Sequence, residues 1–298
     1  MGINVACACD NSFAMPLAVM VRSILDTLSC SEKIELFVLD GGVSPENKKK
    51  VLSSWEAHRV DVNWLSPELS DISGLRVSGH VNLLTYFRIL LPRMLPERVE
   101  RVIYLDCDMV VRKDLSVLWD TPLGDYALCA VQDMTVPVMN ASEGLENYEM
   151  CRPFLSLDVP LNTYRELSIS PTCKYFNAGL LFINLKMWRK ERIAERVLSY
   201  LRNYNERIQF WDQDGLNAVL YNQWGELDLR WNQIPHIYRY PSWRHSPFDE
   251  VDFELARNEP WIIHYAASDK PWNPRSEHPL KGEFYETLKG TQWSDWLP

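Results

Sequence analysis

Two aspartates, one residue apart, follow a short apolar run. Asp106 and Asp108 come directly after residues 102–105, which read Val-Ile-Tyr-Leu. Carboxylate oxygens at this spacing can share a hard divalent cation such as Mg²⁺ or Mn²⁺, and such ions commonly also bind substrate phosphates. The structural alternative is that the two aspartates only end a strand and bind no metal, because motifs this short often occur without a function.

The same residues fit a second chemistry, the motif DxDx[TV] of phosphohydrolases, in which Asp106 would attack phosphorus. That interpretation expects the motif near the start of the fold, followed by a Ser or Thr, a Lys and a further acidic pair. Here about a hundred residues of alternating segments precede Asp106, and no convincing acidic pair follows it. The phosphohydrolase interpretation stays open as an alternative.

A histidine and a lysine near the end of the chain could complete a metal and phosphate site. His264 closes the apolar run 261–263, and imidazole suits Mn²⁺ and similar ions. Lys270 could meet a diphosphate as a point charge. A packed core histidine is the structural alternative for His264.

Two further segments carry groups suited to a sugar. Asn177 offers both a donor and an acceptor, and the small residues Ala178 and Gly179 permit close approach of the backbone to a ligand. Asp212 and Gln213 precede an apolar helix and could bind sugar hydroxyls. The structural alternatives are a turn in the first segment and a helix cap in the second.

The secondary-structure elements that would position these side chains can be predicted from the sequence. Apolar runs alternate with helix-like segments along the chain. Strands are predicted at 3–8, 34–39, 60–65, 101–105, 126–131, 179–185 and 261–265. Helices are predicted at 17–28, 46–58, 85–94, 187–203 and 212–221. The alternation predicts an α/β fold with a mainly parallel, Rossmann-like central sheet flanked by helices. In such sheets ligands bind at the carboxyl ends of the strands, and four aspartates follow apolar runs: Asp10, Asp106, Asp108 and Asp133.

The composition indicates a globular protein and excludes several classes of function. The 298 residues are 46% apolar and 24% charged, and the formal net charge of −9 argues against a nucleic-acid partner. No secretory signal is expected, and no apolar stretch reaches the ~20 residues that span a bilayer. Peripheral membrane contact through basic residues 186–207 is an alternative to a solvated helix face.

The cysteines indicate the cellular setting. They are scattered, they form no CxxC pair, and several lie in apolar runs: Cys7, Cys9, Cys30, Cys107, Cys129, Cys151 and Cys173. Zinc-ribbon and thioredoxin interpretations therefore lack support. We expect free thiols and a reducing, cytoplasmic location.

Six motifs occur in one order along the chain. They are Ala8-Cys-Asp10-Asn11-Ser12-Phe13, Tyr86-Phe-Arg88, Tyr104-Leu-Asp106-Cys-Asp108, Phe176-Asn-Ala-Gly179, Asp212-Gln-Asp214 and His264-Tyr-(x4)-Lys270-Pro-Trp272. Together they resemble the retaining glycosyltransferases of family 8, the family of glycogenin and bacterial lipopolysaccharide galactosyltransferases. The resemblance runs from about residue 3 to residue 272, and six ordered motifs are far more specific than any one of them.

The resemblance implies an architecture and a reaction. The fold would be a GT-A type single domain over residues 1–272, in which the irregular excursion 134–174 is a candidate acceptor region. Residues 273–298 would be a C-terminal extension packed on the domain or trailing it. The donor would be UDP-glucose or UDP-galactose, and the acceptor a glycan, a lipid-linked sugar or a protein.

The resemblance also implies roles for individual residues. Mn²⁺ or Mg²⁺ would be held by Asp106, Asp108 and His264. Uracil would lie against Ala8, Asp10 and Phe13, the ribose towards Ser12, and the phosphates at Lys270. The transferred sugar would be surrounded by Arg88, Asp106, Asn177, Ala178, Asp212 and Gln213. Asp133, at the end of its strand, is a weaker candidate near the donor or acceptor. Arg88, Asp212 and Gln213 would be the catalytic residues.

Two departures from the family pattern bear on these roles. Ser12 stands where relatives often carry Asn, which shortens the reach towards the ribose. Ala266 and Ala267 replace a Cys-Gly or Gly after His-Tyr, and alanine tolerates a positive φ poorly.

Retention of configuration requires either same-face attack, which we favour, or a covalent intermediate on Asp212. A nucleotide-sugar or glycan binding module without turnover is the remaining alternative.

Overall fold

A computed structural model describes residues 2–29, 33–77 and 83–297; Cys30 therefore lies outside the described residues. Within these ranges no helix combines the length and the apolar character that crossing a bilayer requires. The six cysteines that the structure describes are all free thiols.

Within the described ranges, nine strands form two sheets. They are β1 Ile3–Cys9, β2 Ile34–Asp40, β3 Val60–Leu65, β4 Arg101–Leu105, β5 Met109–Val111, β6 Leu128–Gln132, β7 Phe176–Asn184, β8 Trp224–Glu226 and β9 Ile262–His264. The large sheet has the order β3-β2-β1-β4-β7-β6-β8, and β5 pairs with β9 in a small second sheet. Strands β3, β2, β1 and β4 are parallel, whereas β7 is antiparallel to both of its neighbours. The predicted α/β class and mainly parallel central sheet are confirmed.

Helices connect and cover the strands. The α-helices are α1 Ala14–Thr27, α2 Pro45–Leu52, α3 Leu91–Met94, α4 Ser116–Trp119, α5 Ala141–Gly144, α6 Tyr148–Cys151, α7 Leu185–Lys190, α8 Ile193–Asn203, α9 Trp211–Leu220, α10 Glu250–Asn258 and α11 Lys281–Leu288. Short 3-10 helices cover Asn11–Phe13, Leu69–Asp71, Leu83–Leu90, Arg152–Phe154, Asn205–Arg207, Leu229–Asn232, Pro235–Arg239 and Trp243–His245.

The strand predictions match best where an apolar run is bounded by polar residues. Those at 3–8, 34–39, 60–65 and 101–105 agree with β1 to β4 within one residue. Strand β7 begins earlier than predicted, at Phe176, so the Asn-Ala-Gly segment belongs to the strand and not to a turn. The short strands β5 and β8 were not predicted, because three residues carry too little periodicity and their partners define them.

The helix predictions were wrong mainly in their boundaries. The segment 187–203 is two helices, separated at Arg192, whose φ of 51° is left-handed and cannot continue a helix. Helix α2 begins as predicted, with Pro45 in its first turn and Ser44 as its cap, but ends at Leu52 rather than at 58. The predicted helix 85–94 is a 3-10 helix over Leu83–Leu90 followed by α3, and Pro92 lies in the first turn of α3, where the backbone N–H that proline lacks has no helical partner.

Apolar side chains are buried on both faces of the large sheet, and the last part of the chain joins one of these layers. Phe284 and Leu288 of α11 are buried in the same cluster as Leu17 and Val21 of α1. Within the excursion 134–174, Val136 and Met139 join the layer on the opposite face. Helix α11 thus packs in the same layer as α1.

The basic segment 186–207 is engaged with its own chain. The Arg189 guanidinium donates to main-chain carbonyls of residues 92–99, among them Pro92 at 2.9 Å. Arg202 donates to the Asp71 carbonyl, and Arg207 pairs with Glu166 at 2.7 Å.

Candidate functional site

A cavity of about 270 Å³ opens at the carboxyl ends of β1 and β4. This cleft is lined by Ala8, Asp10, Phe13, Leu84, Thr85, Arg88, Tyr104, Asp106, Cys107, Asp108, Asn177, Ala178, Gly179, Phe210, Trp211, Asp212, Gln213, His264, Ala266, Ala267 and Lys270. The parallel strands β1 and β4 end side by side, which is the edge where an α/β sheet binds ligands. Residues from all six sequence motifs meet there.

Two carboxylates and one imidazole converge in the cleft. Asp106, Asp108 and His264 each offer a ligand atom, and these atoms all lie within 4.8 Å of one another. His264 Nε2 is 3.4 Å from Asp108 Oδ1 and 3.8 Å from Asp106 Oδ2. The pairing of β5 with β9, which sets Met109 opposite His264, brings the histidine to the aspartates.

Gly179 makes room for this histidine. A Cβ atom at Gly179 would lie 2.4 Å from His264 Cε1 and 3.0 Å from Asp106 Oδ2. Its φ is not positive, so space and not backbone conformation requires glycine here. The close approach expected at this position therefore exists, but it is to the His264 ring.

The two carboxylates have different electrostatic surroundings. Asp106 Oδ1 accepts from Arg88 Nη2 at 2.9 Å and from the Tyr104 hydroxyl at 3.1 Å. Burial raises the pKa of Asp106, against the opposing effect of Arg88. Burial acts in the same direction on Asp108, but the positive charge of Lys270 outweighs it and lowers the pKa of Asp108 below its usual range. Lys270 Nζ donates to Asp108 Oδ2 at 2.5 Å.

A buried arginine connects the metal-ligand candidates to the sugar-binding candidates. Arg88 Nε lies 3.1 Å from Asp212 Oδ2, and Arg88 Nη1 donates to the Ala178 carbonyl. Thr85 donates its hydroxyl to Asp212 Oδ1. Asp212 Oδ2 has no hydrogen bond of good geometry from any described residue, although it is buried. Burial raises the pKa of Asp212, with Arg88 opposing.

Both ends of the Gln213 amide form a hydrogen bond within the protein. Its Oε1 accepts from the Ala178 backbone N–H at 2.9 Å, and its Nε2 donates to Asp133 Oδ2 at 3.0 Å. Asp133 Oδ2 also accepts from Asn177 Nδ2 at 2.9 Å. Asp133 itself is 2% exposed and is not among the described residues that line the cleft. It therefore lies behind the residues that reach the cavity.

The segment predicted to hold uracil is built around Asp10. Asp10 Oδ1 accepts from the backbone N–H groups of Ser12 and Phe13, at 2.9 and 3.2 Å, and so caps the first short helix. The ring of Phe13 lines the cleft and meets Trp272 edge-to-face, with centroids 5.8 Å apart. Ser12 is exposed, donates its hydroxyl to Asp10, and is not among the described residues that line the cleft.

Two non-glycine residues of the cleft have left-handed backbone. Ala267 has a φ of 70° and Trp211, immediately before Asp212, a φ of 47°. For residues with a Cβ atom this conformation costs about 1–2 kcal/mol. In the Cys-Gly form of the family pattern, glycine would stand at position 267 and would adopt this conformation without that strain.

Several functional positions escaped the sequence reasoning. Thr85, Tyr104, Phe210 and Trp211 line the cleft but received no role, although each belongs to a quoted motif or lies within two residues of one. Asn232 contacts His264 from behind, and no motif includes it. Only adjacency to a motif could have suggested the first four, and no sequence signal marks Asn232.

Comparison with known proteins decides the family. The family model of Glycosyl transferase family 8 matches residues 4–275, most of the chain. The chain belongs to family 8 of the glycosyltransferases. General stress protein A of Bacillus subtilis (strain 168) is similar to this family 8 chain, with 30% identity over 293 residues, covering 97% of this chain and 94% of that protein.

Further relatives agree on family and fold. A lipopolysaccharide 1,3-galactosyltransferase of Salmonella typhimurium is 24% identical over 298 residues, covering 98% of this chain and 79% of that protein. The crystal structure of the galactosyltransferase LgtC in complex with donor and acceptor sugar analogs has a TM-score of 0.80, at 24% identity over 98% of this chain and 99% of that one. The fold is therefore of the GT-A type, and the protein is a glycosyltransferase.

Proposed function

We propose that this protein is a metal-dependent, retaining glycosyltransferase that moves glucose or galactose from a UDP-sugar to a glycan, lipid-linked or protein acceptor. The observation that carries the proposal is the convergence of Asp106, Asp108 and His264 in the cleft at the carboxyl edge of the sheet. Family membership and the likeness to galactosyltransferases support the reaction class and the hexose.

The three side chains suit Mn²⁺ or Mg²⁺. Two carboxylates and an imidazole match the ligand preference of these ions, and the absence of a side chain at Gly179 leaves the His264 ring the space to face the carboxylates. Asp106, Asp108 and His264 would hold the ion. When bound, it would supply positive charge to the diphosphate of the departing UDP. Lys270 lies beside Asp108 and would add a second positive charge.

Arg88 and Asp212 support the proposed sugar site. Asp212 Oδ2, buried yet without a hydrogen bond of good geometry from the described residues, offers an acceptor to a sugar hydroxyl. Arg88 holds Asp106 and Asp212 in fixed positions through its two ion pairs. A hydroxyl donating to Asp212 would orient the sugar relative to the diphosphate.

Same-face attack is the mechanism that the contacts favour over a covalent intermediate. Asp212 is tied to Thr85 and Arg88, and the positive guanidinium lowers its nucleophilicity. Both ends of the Gln213 amide are occupied by Ala178 and Asp133, and an amide is a poor nucleophile. The departing diphosphate would then take the proton of the acceptor hydroxyl, on the face from which it leaves.

A UDP-release assay tests the proposal. The purified protein is incubated with UDP-glucose, UDP-galactose or their N-acetyl forms, with and without Mn²⁺, in the presence of a panel of sugar acceptors. We expect UDP release that needs Mn²⁺ and prefers one hexose donor, and almost none from Asp108→Asn. Binding of UDP-sugar without any turnover would support a binding module, and phosphate release from a phosphomonoester would support a phosphohydrolase.

A further inference from the structure

An asparagine outside every sequence motif lies directly behind the candidate metal-ligand histidine. Asn232 Oδ1 is 2.9 Å from His264 Nδ1, and both side chains are buried. The other ring nitrogen, Nε2, faces the carboxylates of Asp106 and Asp108. An amide oxygen can only accept, so Nδ1 carries the hydrogen, and in the neutral ring the Nε2 lone pair points to the carboxylates.

The orientation of the Asn232 amide follows from a row of hydrogen bonds that ends on a carboxylate. Asn232 Nδ2 donates to Asn177 Oδ1 at 2.9 Å, and the Gly179 backbone N–H donates to that same oxygen at 2.9 Å. Asn177 Nδ2 donates to Asp133 Oδ2 at 2.9 Å. A backbone N–H is only a donor and a carboxylate only an acceptor, so the Asn177 amide cannot be reversed. Reversing the Asn232 amide would set its Oδ1 against Asn177 Oδ1 and lose that bond.

The main chain holds both partners in place. The Gln233 N–H donates to the Ile262 carbonyl at 3.1 Å, and the His264 N–H donates to the Gln233 carbonyl at 2.9 Å. Asn232, the residue before Gln233, is thereby fixed beside β9. Although 32 positions separate Asn232 from His264 in the chain, their relative position is set by these two backbone bonds.

We propose that Asn232 is a positioning residue that keeps His264 in the Nδ1–H tautomer and so presents Nε2 to the divalent cation. Asp133, through Asn177, anchors the row and fixes the Asn232 amide. This role rests on the proposed metal-dependent function. Histidines that bind metals commonly donate their second N–H to an outer acceptor, and loss of that acceptor lowers metal affinity about 10–100-fold.

Mn²⁺ affinity, measured by calorimetry on the metal-free full chain, tests the proposal. We expect Asn232→Ala to bind Mn²⁺ about 10–100-fold more weakly than the wild type. Asn232→Asp should lose less, because its carboxylate still accepts from His264 Nδ1. Asn140→Ala is the matched control: this asparagine is similarly buried, but its side chain bonds to Ser142, Glu143 and Tyr164, away from the cleft. Its Mn²⁺ affinity should equal that of the wild type.

Nitrogen-15 NMR of histidine-labelled protein gives a second readout, with His264→Asn to assign the signal. The wild type should show the Nδ1–H tautomer, and Asn232→Ala should gain the Nε2–H form. Wild-type Mn²⁺ affinity and an unchanged tautomer in Asn232→Ala would overturn the positioning role alone. A wild-type protein that binds no Mn²⁺ would refute the proposed function, and this role with it.

Discussion

Replacing Gly179 by alanine tests the geometry of the metal site with one methyl group. The added Cβ would lie 2.4 Å from His264 Cε1 and 2.9 Å from His264 Nδ1, far inside the ordinary contact distance, which begins at 3.4 Å. Its third neighbour is Asp106 Oδ2 at 3.0 Å. The new methyl therefore presses on two candidate ligands at once.

The size of the effect follows from these distances. The His264 ring must move by about 1 Å to relieve the contact, whereas a metal–ligand distance tolerates about 0.2 Å. The ring is buried and bonded to Asn232, so it cannot shift without losing that bond. We expect Mn²⁺ affinity to fall at least about 100-fold. The overpacking should lower the free energy of unfolding by about 1–3 kcal/mol.

Calorimetric titration with Mn²⁺ and urea unfolding measure the two effects on the same variant. Gly282→Ala is the matched control, since a Cβ at Gly282 meets no atom within 4 Å. It should bind Mn²⁺ like the wild type, and because Gly282 lies in the first turn of α11 its stability should change by no more than about 1 kcal/mol. A folded Gly179→Ala protein with wild-type Mn²⁺ affinity would show that His264 does not bind the ion in this arrangement.

Three further variants probe strain, pH dependence and the buried ion pairs. Ala267→Gly should raise the free energy of unfolding by up to about 1 kcal/mol in urea titrations, because its φ of 70° suits glycine, whereas Ala266→Gly, without a positive φ, should not. Burial lowers the pKa of His278 from 6.5 to about 4. The unfolded chain therefore takes up the proton first, and about 3 kcal/mol of stability is lost as pH falls from 6.5 to 4. In His278→Asn, the loss of stability between pH 6.5 and 4 should be smaller by this amount when unfolding is followed by circular dichroism. The same pH dependence as in the wild type would show that His278 does not cause the loss. Arg88→Lys should lower the free energy of unfolding by about 3 kcal/mol, because one ammonium nitrogen cannot reach the three acceptors that the guanidinium meets with three separate nitrogen atoms. Near wild-type stability would show that the ion pairs with Asp106 and Asp212 contribute little.

The local pattern of apolar and polar residues was enough to predict the first four strands. The first four strands are apolar runs bounded by polar residues, so their position depends little on the rest of the fold. Long helices were predicted in place but not in length, because Arg192 breaks 187–203 through a backbone conformation that no composition marks. Strands β5 and β8 exist only through their partners, and their three residues carry no period of their own.

The predictions for the candidate site differ in the same way: features within one chain segment were predicted, and contacts between distant segments were not. Asp106 and Asp108 were found because spacing along one chain segment is visible in the sequence. Asp133 was predicted near the donor or acceptor; its carboxylate accepts from Asn177 and Gln213, and it is not among the described residues that line the cleft. Whether an aspartate at the end of a strand faces the cavity or lies behind it depends on the neighbouring side chains. The positions of those side chains in space cannot be read from the sequence.

By itself the sequence determined the α/β class, the family motifs and the residue types that line the cleft. The tertiary structure decided which atoms meet: β9 aligns with β5 to bring His264 to Asp108, β7 runs antiparallel so that Gly179 faces that ring, and Asn232 reaches it from behind. The physical reason is that hydrogen-bond and metal-ligand geometry is short-ranged. Residues distant in the chain acquire it only when backbone pairing has fixed their relative positions.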